Sequence, residues 1–215
     1  HTQSASQELK KLFDDKQYFD YPKPVGLIKK AILISTDKDS IVLDFFSGSA
    51  TTAQATMQLN AEDGGNRRFI LVQLPELTEP KTDAYKDGYS NLCEIGKERI
   101  RRAGAKIKAD SPMTTQDLDI GFRVLKCDLS NMKEVYYNPA ELEISLLTDL
   151  TDNIKEDRTA EDLLFQVMLD LGIMLSAKVE QTTLDGKTVF NVNGNHLIAC
   201  FDKEITDETI KAIAK

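Results

Sequence analysis

The sequence predicts an α/β fold built on a parallel sheet, followed by a small α+β module. Three observations predict it. Two near-continuously apolar runs, Ile41–Phe46 and Arg68–Leu74, flank a helix-compatible stretch, which is the pattern of a βαβ unit. Runs of that kind suit strands buried on both faces of a parallel sheet. Further on, Asp185-Gly186 and Asn193-Gly194 separate three strand-like runs, the pattern of an antiparallel meander.

The elements follow in order. Residues 1–20 are polar, and the chain reads as a piece of something larger. Phe19-Asp20-Tyr21-Pro22-Lys23-Pro24 is extended, because each proline disfavours helix in the residue before it. Pro24 suits a first helical turn, and Leu27, Ile28, Ala31 and Ile32 follow at helical spacing. After a polar turn at Asp37–Ser40 comes the first strand, then the tight turn Ser47-Gly48-Ser49. Ala50–Leu59 is helical, ended by Asn60 and the Gly64-Gly65 pair. The second strand gives way to a polar loop, Pro75–Asp87. A helix over Ser90–Lys108 has Leu92, Ile95, Gly96, Ile100, Ala103 and Ile107 as its inner face. Gly121–Asp128 alternates apolar and polar residues, as a half-exposed strand does. Three segments result: 1–140, a charged connection at 141–158, and the module 159–215. Thr159-Ala160-Glu161-Asp162 opens a helix with a capping-box pattern and Gly172 closes it. The meander spans Lys178–Leu184, Thr188–Val192 and His196–Phe201, and Thr206–Lys215 returns to helix.

Composition narrows the function. The 215 residues are 41% hydrophobic and 29% charged, as in an ordinary globular protein. No apolar run is long enough to span a membrane, and the N-terminus has no signal-peptide pattern. A net charge of −8 excludes a chain-wide basic surface for nucleic acid. Three widely spaced cysteines (Cys93, Cys127, Cys200) and two histidines make neither a metal signature nor a disulfide framework, which points to a reducing cytoplasm.

The chemically informative stretch is Asp44-Phe45-Phe46-Ser47-Gly48-Ser49-Ala50-Thr51-Thr52, where a strand hands over to a helix. Small residues let a ligand approach the backbone, and the first N–H groups of the helix face it. The next strand ends at Gln73 and Glu76, where a nucleotide-binding fold grips ribose hydroxyls.

Together with Phe19–Pro24 and Arg68–Glu76, this stretch resembles the S-adenosylmethionine-binding half of amino-methylating DNA methyltransferases of the β class. It looks most like the modification subunit of type III restriction–modification systems, in which a Lys-Pro motif directly precedes an Asp-x-Phe-x-Gly motif. Asn91–Arg102, Asp119–Val124 and Asn153–Arg158 also resemble that subunit, so the likeness covers nearly the whole chain.

The resemblance implies a Rossmann-like half-domain over residues 1–140. Residues 159–215, small for an independent core and with meander edges to cover, read as a small α+β assembly module. The resemblance also implies that Asp44, Phe45, Gly48 and Ser49 surround the methionine end of S-adenosylmethionine, with Lys23 and Pro24 in the segment that closes over it. Thr51 and Thr52 start the helix and donate to the cofactor carboxylate. The family's acidic ribose ligand falls on Gln73, with Glu76 as a substitute, and its third motif glycine is Ala50. A methyl there is tolerable only without a positive φ. The family's catalytic motif, an acid or amide followed by Pro-Pro and an aromatic, is absent, since the sequence contains no Pro-Pro. That motif and the target-recognition domain are expected upstream of His1, and this chain alone is expected to be inactive. The implied activity is adenine-N6 methylation. The implied partners are duplex DNA, a second modification subunit and a restriction subunit.

Two other readings stand beside this one. A dinucleotide-dependent oxidoreductase would use the turn for pyrophosphate, although the three-glycine fingerprint is missing. A non-catalytic assembly module would use only residues 159–215. Lys97, Arg99, Arg101, Arg102, Lys106 and Lys108 read as a solvated basic helix face, and His196 as a structural histidine. Asn138 reads as a helix cap, and Asp149, Asp152, Glu156 and Asp157 as a linker without calcium-loop spacing.

Overall fold

The computed structural model describes residues 2–133 and 153–214, which fall into two compact units divided between Val124 and Leu125. The expected boundary at 140, most of the connection 141–158, the Asn138 cap and Asp149 and Asp152 lie outside the described residues.

The first unit is α/β. It opens with α1 (Thr2–Leu12), a helix inside the segment that reads as merely polar. Ala5, Leu9 and Phe13 recur every fourth residue and are buried. Phe13 meets the Tyr18 ring edge-on at 4.9 Å, and Asp87 accepts from the Tyr18 hydroxyl. Helix α2 (Val25–Ser35) begins after Pro24, as expected, and buries Val25 and Ile32. Strands β1 (Ile41–Asp44) and β2 (Arg68–Leu71) pair in parallel, Ile41 opposite Arg68 and Asp44 opposite Leu71.

Helix α3 (Thr51–Asp63) is the crossover between them. It lacks an apolar stripe because it is covered on several sides at once. Ala55 and Leu59 pack on Val25 and Ile32 of α2. Ala53 and Met57 pack on Ile100 and Ala103 of the helix Leu92–Asp110, with Phe69 and Leu71 of β2 beside them. After the one-turn helix α4 (Asp83–Lys86), α5 (Leu92–Asp110) starts at Asn91, whose side chain accepts from the Glu94 N–H.

Two expectations are corrected in this unit. The strands are not buried on both faces: Ile41, Leu43 and Ile70 are 46%, 49% and 50% exposed. Among the described residues this sheet has two strands, and its inward residues Val42, Phe69 and Leu71 rest on the helices while the opposite face is open. Gly121–Asp128 is not a strand. Ile120 and Phe122 instead dock directly on the α3–α5 core, where no ladder partner meets them among the described residues.

The second unit is α+β. Met132 and Ile154 form an isolated antiparallel bridge. Helix α6 (Ala160–Asp170) carries the complete capping box between Thr159 and Asp162. Its Leu164 and Met168 pack on Phe190 and Val192. The meander is β3 (Val179–Leu184), β4 (Lys187–Val192) and β5 (Leu197–Ala199), antiparallel in that order. Asp185-Gly186 and Asn193-Gly194 all have positive φ, as the sequence requires of these hairpins. Helix α7 (Asp207–Ile213) is capped by Thr206, and the Thr206 and Thr209 hydroxyls bond Asp185 Oδ2.

One side chain closes the βαβ unit. Asn60 Nδ2 donates to the Arg67 carbonyl at 2.9 Å, and its Oδ1 accepts the Arg67 N–H at 3.1 Å. Arg67 also grips Asp63 at 2.9 Å, which holds the Asp63 carboxyl below its ordinary range. Asn60→Ala strands both backbone groups of Arg67 in a buried position, at a cost of about 2–3 kcal/mol. Urea unfolding should read that loss, and a shift under ~0.5 kcal/mol would refute this role.

Candidate cofactor site

The site is the turn from Asp44 to Thr52. Asp44 ends β1, and both its carboxylate oxygens are engaged. Oδ1 accepts the Phe46 N–H at 3.1 Å, and Oδ2 accepts the Thr52 hydroxyl at 2.5 Å. The carboxylate thus ties the strand end to the turn and to the helix start. The Ser47 N–H reaches Val72 O, and the Ala50 N–H closes back on Ser47 O at 2.7 Å. Gly48 has φ +51°, which glycine adopts without strain, and a Cβ built there would lie 3.4 Å from the Phe19 ring. Phe19 opens the Phe19–Pro24 segment, so that segment begins against the turn.

Gln73 reaches the turn from the end of β2. Its Oε1 accepts the Gly48 N–H at 2.7 Å and its Nε2 donates to Leu74 O. Both ends of the amide that sequence reasoning offers to ribose are therefore engaged in holding the turn. Glu76 lies exposed just beyond. Direct bonds thus join Asp44 to Thr52 and Gly48 to Gln73. Ser49 and Thr51 are buried and share a partner described below, and Phe45 is exposed beside Phe46, which is 90% exposed. Lys23 is exposed and Pro24 caps α2, and no bond ties either side chain to the turn.

Two features of the turn depart from the sequence reading. Ala50 has φ +62°, so the residue standing for the third motif glycine does adopt a left-handed conformation. Arg99 does not belong to the basic face: it is 1% exposed, on the inner side of α5. Its Nη1 donates to Ser49 Oγ and Thr51 Oγ1, both at 2.7 Å, and its Nε donates to Gln54 Oε1 at 2.9 Å. Burial pushes its pKa down to about 10. Its spacing of four from both Ile95 and Ala103 is the signal that places it inside. The remaining basic residues of α5 are a solvated face with local partners: Lys97 with Glu94, Arg101 and Arg102 with Glu98, Lys106 with Asp110, and Lys108 with Gln116 O.

The three cysteines are free, and Cys93 donates to Gln73 O. Burial raises the Cys93 thiol pKa, which argues against a nucleophile. His196 is exposed in a hairpin rather than in a strand. Among the described residues no acid, cysteine or histidine cluster suits a metal ion, and no helix is long and apolar enough to cross a membrane.

Comparison with known proteins gives the sequence relatives of the chain. Residues 2–105 match the DNA methylase family. The first unit therefore carries a DNA methylase segment. It is 36% identical over 213 residues to the EcoPI Mod subunit, a type III restriction–modification enzyme of Escherichia phage P1, covering 99% of this chain and 31% of that protein. It is 34% identical over 213 residues to the EcoP15I Mod subunit of Escherichia coli, covering 97% of this chain and 30% of that one. Over 119 residues it is 50% identical to the StyLTI Mod subunit of Salmonella typhimurium, covering 55% and 18%. The chain therefore spans less than a third of the length of these relatives. The likeness to type III modification subunits read from the motifs is thus found independently.

The conformation of Ala50 is testable. Ala50→Gly relieves about 1 kcal/mol of left-handed strain and removes a buried methyl worth about 0.8 kcal/mol. The two nearly cancel, so its melting temperature should stay close to that of wild type. Ala50→Val adds a branched side chain at the same φ and against Gly96, and should cost about 2 kcal/mol or more. A well-tolerated Val would refute the left-handed conformation.

Proposed function

We propose that this chain is the S-adenosylmethionine-binding part of an adenine-N6 DNA methyltransferase, the modification subunit of a type III restriction–modification system. Its first unit is then a Rossmann-like half-domain built on β1, α3 and β2. The observation that carries the reading is the turn at Gly48, clamped between Asp44 and Gln73 at the N-terminus of a 13-residue helix.

The residues present fit the cofactor. A helix start offers N–H donors to a carboxylate, and Gly48 leaves its backbone open to close approach. Gln73 is committed to the Gly48 N–H, so Glu76 takes the ribose hydroxyls. Phe45 and Phe46 offer apolar surface beside the turn. The Lys23-Pro24 segment, seated at one end by Phe19, closes over the methionine portion.

When bound, S-adenosylmethionine supplies an activated methyl on sulfur. Transfer to an exocyclic amine demands in-line placement, and placement is what this chain provides. Asp44 holds the strand end, the turn and the helix start in one arrangement, so the ligand meets a preformed cradle. Without a Pro-Pro motif, no residue of this chain is assigned to hold the flipped adenine. By itself the chain then transfers no methyl group. Duplex DNA, a second modification subunit and a restriction subunit are partners of the intact subunit. The open face at Ile41, Leu43 and Ile70 is the surface on which the rest of its methyltransferase domain packs.

Calorimetry on the intact subunit tests the pocket. Asp44→Ala and Gly48→Val should each weaken S-adenosylmethionine binding at least tenfold, a loss of about 1.4 kcal/mol. Unchanged affinity in folded protein would place the pocket elsewhere, and binding of NAD instead would favour an oxidoreductase.

The second unit is the assembly element. It holds no plausible nucleophile–base pair among its described residues, and Leu169, Leu171 and Met174 are exposed apolar side chains at the end of α6. The double variant Leu169→Glu/Leu171→Glu should sediment as a monomer while keeping its affinity for S-adenosylmethionine. A variant that stays dimeric would put the assembly surface elsewhere.

A further inference from the structure

Two guanidinium groups are buried in the first unit, and they differ in what faces them. Arg67 meets a carboxylate, Asp63, at 2.9 Å. Arg99 is more deeply buried and meets only neutral oxygens: Ser49 Oγ and Thr51 Oγ1 at 2.7 Å, Gln54 Oε1 at 2.9 Å and Ser49 O at 3.3 Å. Among the described residues no carboxylate lies within ion-pair distance of it. The acid that acts on it electrostatically is Glu8 of α1, whose side chain is exposed.

A buried cation is costly unless an anion balances it. Here every oxygen that meets the cation belongs to one short segment, Ser49 to Gln54, which is the turn and the first helical turn of α3. That segment is already electropositive, because the first N–H groups of a helix point outward without internal partners. Arg99 adds a full charge behind the same groups. The hydroxyls of Ser49 and Thr51 accept from the guanidinium, so their own protons remain available to donate, and a hydroxyl that accepts from a cation is the stronger donor. In the described residues the one carboxylate of the turn, Asp44, is taken up by the Phe46 N–H and the Thr52 hydroxyl and makes no ion pair with Arg99, and the ligand proposed for the turn carries a further carboxylate.

We propose that Arg99 is a positioning and specificity residue whose buried charge, relayed through Ser49 and Thr51, selects the carboxylate of the cofactor's methionine end. The inference rests on the reading of the turn as an S-adenosylmethionine site. Arg99 does not touch the ligand. It holds the turn and biases it towards an anion, so it discriminates by charge and not by shape. A purely structural arginine would support every ligand of the pocket alike.

That difference sets the experiment. Affinities of the intact subunit are measured for S-adenosylmethionine and for its decarboxylated analogue, which keeps the sulfonium and the amine. In wild type the carboxylate-bearing ligand binds more tightly. Arg99→Gln should weaken S-adenosylmethionine at least tenfold and the analogue less than threefold, so the preference collapses. Arg99→Lys, which keeps the charge, should restore most of that preference. If Arg99→Gln does not fold, Thr51→Val carries the test. It removes one relay hydroxyl at constant shape and should narrow the preference in the same direction. Equal weakening of both ligands by the folded variants, or an unchanged preference, overturns the role of Arg99 and leaves the cofactor reading standing. A wild-type subunit that binds neither ligand overturns the cofactor reading and this inference with it.

Discussion

The first unit depends on the burial of α3. This helix lies against α2, α5 and the sheet, so its residues must be small where backbones approach: Ala53 and Ala55 have no exposed surface and Thr56 is equally enclosed. The facing helix concedes room as well. A Cβ on Gly96 of α5 would lie 3.6 Å from Ala50 Cβ and from Gly48 O, and one on Gly104 would lie 2.9 Å from Ile120 Cβ. Close packing of this kind leaves a helix little freedom to slide or rotate. Its N-terminus is therefore fixed in space. The turn before it is then held by Asp44 from its own strand, Gln73 from the neighbouring strand, Arg99 from α5 and Phe19 from the approaching segment.

Holding a turn so firmly allows it to break local rules. Ala50 occupies a conformation that favours glycine, and Arg99 keeps a charge in the interior without an acid beside it. Each choice would be unfavourable alone. Strain persists where the surroundings over-determine it, and such positions cluster at functional sites. Both departures fall within one turn of the same helix start.

Much of this was legible in the sequence where local chemistry decides the backbone. The Asp-Gly and Asn-Gly pairs demanded positive φ and define the meander, and the Thr159–Asp162 box starts α6 as its spacing requires. The strand–turn–helix–strand order around Gly48 was equally plain. What was not legible depends on which surfaces meet. The apolar runs read as strands covered on both faces, yet the helices cover one. The alternation at Gly121–Asp128 resembled a strand, yet Ile120 and Phe122 find helices to pack on. Helix α1 was hidden because Ala5, Leu9 and Phe13 are sparse among polar neighbours. Arg99 reads as one of its solvated neighbours by residue type, while its position in the period of α5 places it inside.

The Gln73 departure and the Arg99 burial have one electrostatic logic. The Gly48 N–H needs an acceptor, and either an amide or a carboxylate would serve. The turn already meets one carboxylate, Asp44, which is engaged by the Phe46 N–H and the Thr52 hydroxyl. A second acid at position 73 would set another negative charge against the same few backbone groups and offset the charge that Arg99 brings from behind. A neutral amide accepts the bond without that cost, and its NH2 group is satisfied on Leu74 O. Glutamine at the strand end and an unpaired guanidinium beneath the helix start thus act in the same direction. Both spare the turn a second carboxylate, and under the proposed reading the anion that meets it there is the ligand's.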